Sequence, residues 1–254
     1  MRVEDLDRPR AVPGAEERIL ADLRALGVDW DEGPDVGGPH TPYRQSERTS
    51  LYEAKLAELR ALELAFACYC SRAEVAQAAV APHGPFDDGP RYPGTCRNLS
   101  SLQRSERQRS RQPSWRFAVP QGAAAVVNFI DQCSGRHEED VGTTVGDFVL
   151  RRSDGIFAYQ LAVVVDDIAM QITDVVRGAD LLSSVGRQTL LFAALGHTPP
   201  TWTHLPLMLG PDGARLGKRH GSIAVREHAA YLGFPALAAQ LLDSLPDLKE
   251  PRKV

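Results

Sequence analysis

The chain has 254 residues, 43% hydrophobic and 24% charged, the proportions of an ordinary globular protein rather than a disordered or fibrous one. No apolar run approaches the length of a bilayer span, and charge begins at Arg2, so neither a membrane helix nor a secretory signal is read. A net charge of −4 excludes binding to nucleic acid by bulk attraction, and four cysteines, two of them one residue apart, fit metal-binding thiols in a cytoplasmic protein better than a disulfide framework.

Met1 to Asp7 reads as the end of a strand entering a polar turn. Ala15 to Leu26 places Ile19, Leu20, Leu23 and Leu26 at helical spacing, and Gly27 is a good stop signal. Asp31 to Pro42, rich in Gly and Pro, is expected to be loop. A second helix is predicted from Ser50 to about Leu64, carrying Leu51, Leu56, Leu59 and Leu62. Ala65 to Cys70 looks like a short buried strand. Residues 71 to 113, dominated by Pro, Gly, Ser and Arg, look like an insertion with little core that needs a staple. A β pattern resumes at Trp115–Val119 and Val126–Ile130, then continues through Val149–Arg152 and Phe157–Val165, the last being a strand or a buried helix. Helices are expected around Ala179–Leu195 and from Ser222 onward. Strands alternating with helices predict a mostly parallel α/β sheet covered on both faces.

Three groups of residues carry chemistry. Cys68-x-Cys70 and Cys96 offer three soft ligands, and a tetrahedral structural zinc site wants a fourth. The candidates are Tyr92, His83 and Cys133, and ligand chemistry alone favours His83 or Cys133. Gly213 to Ser222, with Arg215, Lys218 and Arg219, is a basic glycine-punctuated loop suited to phosphate oxygens. Tyr159 and Arg177 suit a carboxylate, and Glu4 suits an ammonium, which together would recognise an amino acid. Arg97, Arg104, Arg107, Arg109 and Arg111 lie within fifteen residues, with Glu106 the sole acid among them; from charge alone this is a solvated helix face.

These motifs, in this order, resemble the class I glutamyl-type tRNA synthetases. Arg2-Val3-Glu4-Asp5-Leu6-Asp7 with Arg10, then Tyr43-Arg44-Gln45-Ser46-Glu47-Arg48, is similar to the segment after the family's first motif. Tyr159 to Val164 with Asp166-Asp167, and Val176-Arg177-Gly178-Ala179-Asp180-Leu181-Leu182, look like its amino-acid pocket. Leu216 to Gly221 occupies the place of its ATP signature loop. The Cys-x-Cys and Tyr-x3-Cys pattern, with few residues after that loop, resembles the short glutamyl-Q tRNA(Asp) synthetases.

The resemblance implies a Rossmann-type parallel sheet with a zinc-stapled insertion. Residues 1–67 and 115–254 would form the two halves of the catalytic domain, residues 68–114 the insertion, and no anticodon-binding domain is expected. It implies ATP-dependent activation of glutamate, with magnesium, and transfer to the queuosine base of tRNA(Asp) by a cytoplasmic monomer. Glu4 would hold the substrate ammonium, Tyr159 and Arg177 its carboxylates, and Lys218 the phosphates and the catalytic charge. Cys68, Cys70, Tyr92 and Cys96 would hold zinc, and the arginine patch would touch tRNA. The family's Ser-Pro-Thr-Gly and His-x-Gly-His motifs have no counterpart here, so a missing first strand and at most traces of activity are expected. Gly217 replaces the signature serine and Arg215 the first lysine. Alternative readings are a fragment of a glutamyl-tRNA synthetase, or a catalytically dead zinc-stapled module that binds tRNA or a partner.

Overall fold

The computed structural model describes residues 1–7, 12–78, 91–207, 229–230 and 233–243. Helix α1, Ala15–Ala25, ends as its sequence requires. Gly27 turns at φ +82°, and its N–H and that of Val28 return to the carbonyls of Arg24 and Leu23. The apolar stripe of α1 covers little: no residue of the helix is buried, and Ile19 is exposed. Helix α2, Thr49–Ala61, does the opposite. Tyr52, Leu56 and Leu59 repeat at helical spacing and are fully buried, each contributing roughly 1.5–3 kcal/mol. Leu62, expected on the same face, is exposed.

Strand β1, Ala65–Cys68, is buried along its whole length, as its unbroken apolar run predicts. The chain leaves the sheet at Cys68 and returns antiparallel in β2, Ser114–Phe117, with Cys68 opposite Ser114. The described residues between those two are therefore inserted at one edge, and among them lie two helices, α3 (Arg72–Ala78) and α4 (Ser101–Ser110). A small core gathers Phe66, Tyr69, Val75, Tyr92 and Cys96. It centres on the cysteines, the part of the insertion expected to need a staple.

Next come β3 (Val126–Asp131), β4 (Gly135–Asp140), the single turn α5 (Val141–Thr144) and β5 (Val149–Arg151). Then follow α6 (Tyr159–Ala169), β6 (Asp174–Gly178), α7 (Val185–Ala194), β7 (Thr201–Leu205) and α8 (Phe234–Asp243). One sheet has the order β1-β2-β5 and is antiparallel. The other has the order β4-β3-β7-β6, in which β3 and β6 run parallel to β7 while β4 closes a hairpin on β3. The architecture is thus mixed α/β, which corrects the expectation of a mostly parallel sheet. The strands of the first sheet and the polar hairpin strand Gly135–Asp140 carry no signal of direction, and β4 has no apolar residue to announce it.

Phe157 to Val165, read as a strand or a buried helix, resolves as the helix. The β-branched run Val163-Val164-Val165 suits a strand, yet α6 is a helix from Tyr159, buried from Gln160 to Asp167. Helix–helix packing against α2 and α7 overrides the local preference. Ala179–Ser184 forms a 3-10 turn rather than the first turns of α7. Among the described residues no helix is long and apolar enough to cross a membrane.

Candidate functional site

The two acids that end the buried part of α6 tie distant segments to it. Asp166 is fully buried and accepts from Arg48 Nε at 2.6 Å, Gln45 Nε2 at 2.8 Å and Tyr52 Oη at 2.9 Å. Asp167 accepts from Arg2 Nη1 at 2.7 Å. Burial pushes the Asp167 carboxyl above the usual carboxylate range, and Arg2 opposes the rise without cancelling it. Arg2 Nη2 also reaches Glu4 Oε1 at 3.2 Å. The N-terminal segment is held against the core by this pairing and by Val3, whose N–H and carbonyl bond to Tyr43 and Gln45.

Tyr159 and Arg177 meet beside this segment, while Glu4 itself is paired with Arg2. Arg177, on β6, donates from Nη1 to Tyr159 Oη at 3.3 Å, from Nη2 to the Leu181 carbonyl at 3.3 Å, and from Nε to His204 Nε2 at 2.9 Å. Its guanidinium carbon lies 4.9 Å from the centre of the Trp202 ring. Burial raises the Tyr159 pKa, and the Glu4 charge raises it further against Arg177. Burial lowers the Arg177 pKa, against the pull of Tyr159, Asp167 and Glu4. The negative charge of Glu4 is therefore felt at both side chains. Of the five N–H donors of a guanidinium, three have these partners, leaving donors on Nη1 and Nη2 for a ligand. A phenol, an arginine fork and a separate carboxylate can bind the two charged ends of an amino acid.

A cavity of about 1560 Å³ is lined by Tyr159, Gln160, Ser184, Arg187, Cys70 and Arg116 among others. It is larger than an amino acid fills and would accept a nucleoside-sized group as well.

The cysteines meet as their spacing suggests. The Sγ atoms of Cys68, Cys70 and Cys96 lie within 4.8 Å of one another, with Cys70 and Cys96 at 3.6 Å. Tyr92 Oη is 3.4 Å from Cys68 Sγ, 3.9 Å from Cys70 Sγ, and accepts from the Cys96 N–H at 2.8 Å. Four donors around tetrahedral zinc, with Zn–S near ~2.3 Å, stand roughly 3.5–3.8 Å apart, so this set fits that ion. Burial raises the pKa of both Cys70 and Tyr92, and the neighbouring thiols add to the rise in each case. A cation would reverse that penalty. Cys133 sits in the β3–β4 turn, its N–H bonded to Asp131, apart from the cluster. His83, Arg10, Lys218 and the whole loop Gly213–Ser222 lie outside the described residues.

Sequence reasoning gave no role to Arg2, Asp131 or His204, although Arg2 opened the segment that resembles the family. An Arg2-x-Glu4 alternation on one side of an extended segment was the available signal for the first. Asp131 and His204 are linked only through strand pairing, which leaves no trace in local pattern.

Residues 1–240 match the family model described as tRNA synthetases class I (E and Q), catalytic domain. A Glutamyl-Q tRNA(Asp) synthetase of Symbiobacterium thermophilum is 53% identical over 226 residues, covering 89% of this chain and 69% of that protein. Another, from Nitratidesulfovibrio vulgaris, is 51% identical over 253 residues, covering 97% of this chain and 76% of that protein. Among solved structures, the glutamate-tRNA synthetase of Elizabethkingia anophelis superposes with a TM-score of 0.73 at 32% identity, over 87% of this chain and 46% of that one. The chain thus spans most of the first two proteins and a little under half of the third. With identity at this level along nearly its whole length, the chain belongs to the class I tRNA synthetases (E and Q), a family of ligases.

Proposed function

We propose that the chain binds glutamate between Glu4, Tyr159 and Arg177, activates it with ATP, and transfers it to the queuosine base of a tRNA(Asp). The observation that carries this is the Arg177–Tyr159 pair at 3.3 Å, with Glu4 in their shared field. The relatives named as glutamyl-Q tRNA(Asp) synthetases support the choice of acceptor.

In this reading Glu4 accepts from the substrate ammonium, and Arg177 with Tyr159 donates to a substrate carboxylate. Arg177 and Tyr159 hold one carboxylate so that an oxygen of the other attacks the α-phosphorus of ATP. The bond to the departing pyrophosphate breaks, and a glutamyl adenylate forms. A hydroxyl of the tRNA base then attacks the acyl carbon, loses its proton, and AMP leaves. Lys218, with magnesium carried by ATP, would offset charge on the phosphates. Cys68, Cys70, Tyr92 and Cys96 would hold a structural zinc that ties residues 68–114 into one insertion between the catalytic halves 1–67 and 115–254. The arginines of α4 would face the tRNA backbone.

The test is glutamate-dependent ATP–pyrophosphate exchange without tRNA, followed by transfer to queuosine-containing tRNA(Asp). Exchange that needs glutamate and disappears in Arg177→Met supports the reading. Because residues 1–254 alone are expected to show at most traces of exchange, the assay is also run on a chain extended by the family's Ser-Pro-Thr-Gly and His-x-Gly-His segment. No exchange by either, both folded and saturated with glutamate, would sink the reading in favour of a tRNA-binding module.

A further inference from the structure

Arg177 is the outer end of a hydrogen-bonded row that begins in the core. Its Nε–H points at His204 Nε2, 2.9 Å away. A guanidinium only donates, so that ring nitrogen carries a lone pair and the imidazole proton sits on Nδ1. Nδ1–H donates to Asp131 Oδ2 at 2.7 Å, and the His204 backbone N–H donates to the same oxygen at 3.0 Å. The other carboxylate oxygen accepts from Cys133 N at 3.1 Å, Ser134 N at 2.9 Å and Ser134 Oγ at 3.0 Å. The side chains of His204 and Asp131 are 1% and 0% exposed. Three neighbouring parallel strands make the row, since Arg177 on β6 lies opposite His204 on β7, and Asp131 on β3 lies opposite Trp202 on β7.

We infer that Asp131 and His204 are positioning residues, which grip Arg177 by its Nε edge and leave its two Nη groups aimed at the ligand, and that this grip requires a neutral, Nδ1-protonated His204. The inference rests on the reading of Arg177 as the carboxylate-binding fork. A second proton on the imidazole would set Nε2–H against the Nε–H of Arg177 and place two cations side by side. The groups that face the ring are Asp131 from β3, Arg177 from β6, the Leu181 carbonyl beyond β6, and Trp202 on its own strand, with ring centres 6.5 Å apart. Burial lowers the His204 pKa and Arg177 lowers it further, against Asp131 and the Leu181 carbonyl, in the same direction as the neutral ring that the Arg177 Nε contact requires. Asp131 stays ionised: burial would raise its pKa, but His204, Ser134 and Cys133 donate to it and hold it below the ordinary carboxylate value.

Nitrogen NMR of the imidazoles in the full, unmutated chain reads the tautomer directly. The expected result is a His204 ring with hydrogen on Nδ1 and a lone pair on Nε2, unchanged from about pH 8 down past the ordinary histidine value of ~6.5. Hydrogen on Nε2, or titration at the ordinary value, overturns the inference. Glutamate affinity by calorimetry supplies the second readout. His204→Gln puts an acceptor oxygen near the Nε2 position and is expected to bind within about 3-fold of the parent, while His204→Phe, which cannot accept, loses about 10-fold or more. Equal losses in both would leave His204 a packing residue and remove its positioning role. Arg177→Met separates the two layers. If it binds glutamate like the parent, the carboxylate reading of Arg177 falls, while the tautomer stands or falls on the NMR result alone.

Discussion

Arg48 and Asp166 are 118 positions apart, and the Nε–H of the first donates to Oδ1 of the second at 2.6 Å inside the core. The same carboxylate takes donors from Tyr52 and Gln45, so α2 and α6 are joined by a saturated buried charge as well as by apolar packing. A buried carboxylate of this kind adds specificity of docking more than net stability, but breaking it is costly. Asp166→Ala strands three buried donors and is expected to lower unfolding free energy by about 3–5 kcal/mol in urea denaturation. Tyr52→Phe, which leaves the other donors in place, should cost about 1 kcal/mol. Similar small losses in both variants would show that water satisfies the hub.

Glu139 gives a pH dependence. Burial raises its pKa, and the Thr144 hydroxyl at 3.1 Å and the Arg187 charge offset only part of the rise. A raised folded-state pKa means the folded chain holds the proton more tightly than the unfolded chain. The contribution is therefore fully present below the ordinary carboxylate value and is lost as pH climbs through the folded value. Glu139→Gln, which stays neutral and keeps an acceptor for Thr144, should be more stable than the parent near neutral pH, with the difference vanishing in acid. Thermal unfolding of both chains across that range checks the sign; a difference that does not move with pH removes the titration argument.

The cysteine cluster predicts about one zinc per chain by elemental analysis. Cys96→Ala should abolish it, and a strong chelator should lower the melting temperature and expose Cys68, Cys70 and Cys96 to thiol reagents. Tyr92→Phe keeps three thiolates and the ring packing, so weakened rather than abolished metal retention is expected. A chain whose stability is indifferent to chelation would reduce the cluster to packed thiols.

Helix α4 stands on the surface by local means. Ser100 and Gln103 form a reciprocal capping box at its start, and none of its residues is buried. Arg104, Arg107 and Arg109 are exposed and make no ion pair among the described residues, whereas Arg111 pairs with Glu74 at 3.1 Å. Reversing Arg104 and Arg107 to Glu should weaken tRNA binding and flatten its dependence on salt by roughly 0.7–0.9 logarithmic units for each phosphate that is no longer neutralised. Glutamate binding should be unchanged. An unaltered salt slope would return the helix to a solvated face.

Much of this was legible in the chain. Gly27 stopped α1, Tyr52 through Leu59 supplied a buried helical face, and Ala65–Cys68 ran as a buried strand, because caps, periodicity and unbroken apolar runs act over a few residues. The residues also brought forward Tyr159 and Arg177, which the fold sets 3.3 Å apart. Tertiary structure decided the rest. Val163 to Val165 became helix only because α2 and α7 enclose them. Tyr92 rather than Cys133 joined the thiols because the β3–β4 turn carries Cys133 elsewhere. The row Asp131–His204–Arg177 exists because three strands far apart in sequence pair in one register, and register is set by long-range packing that no local pattern encodes.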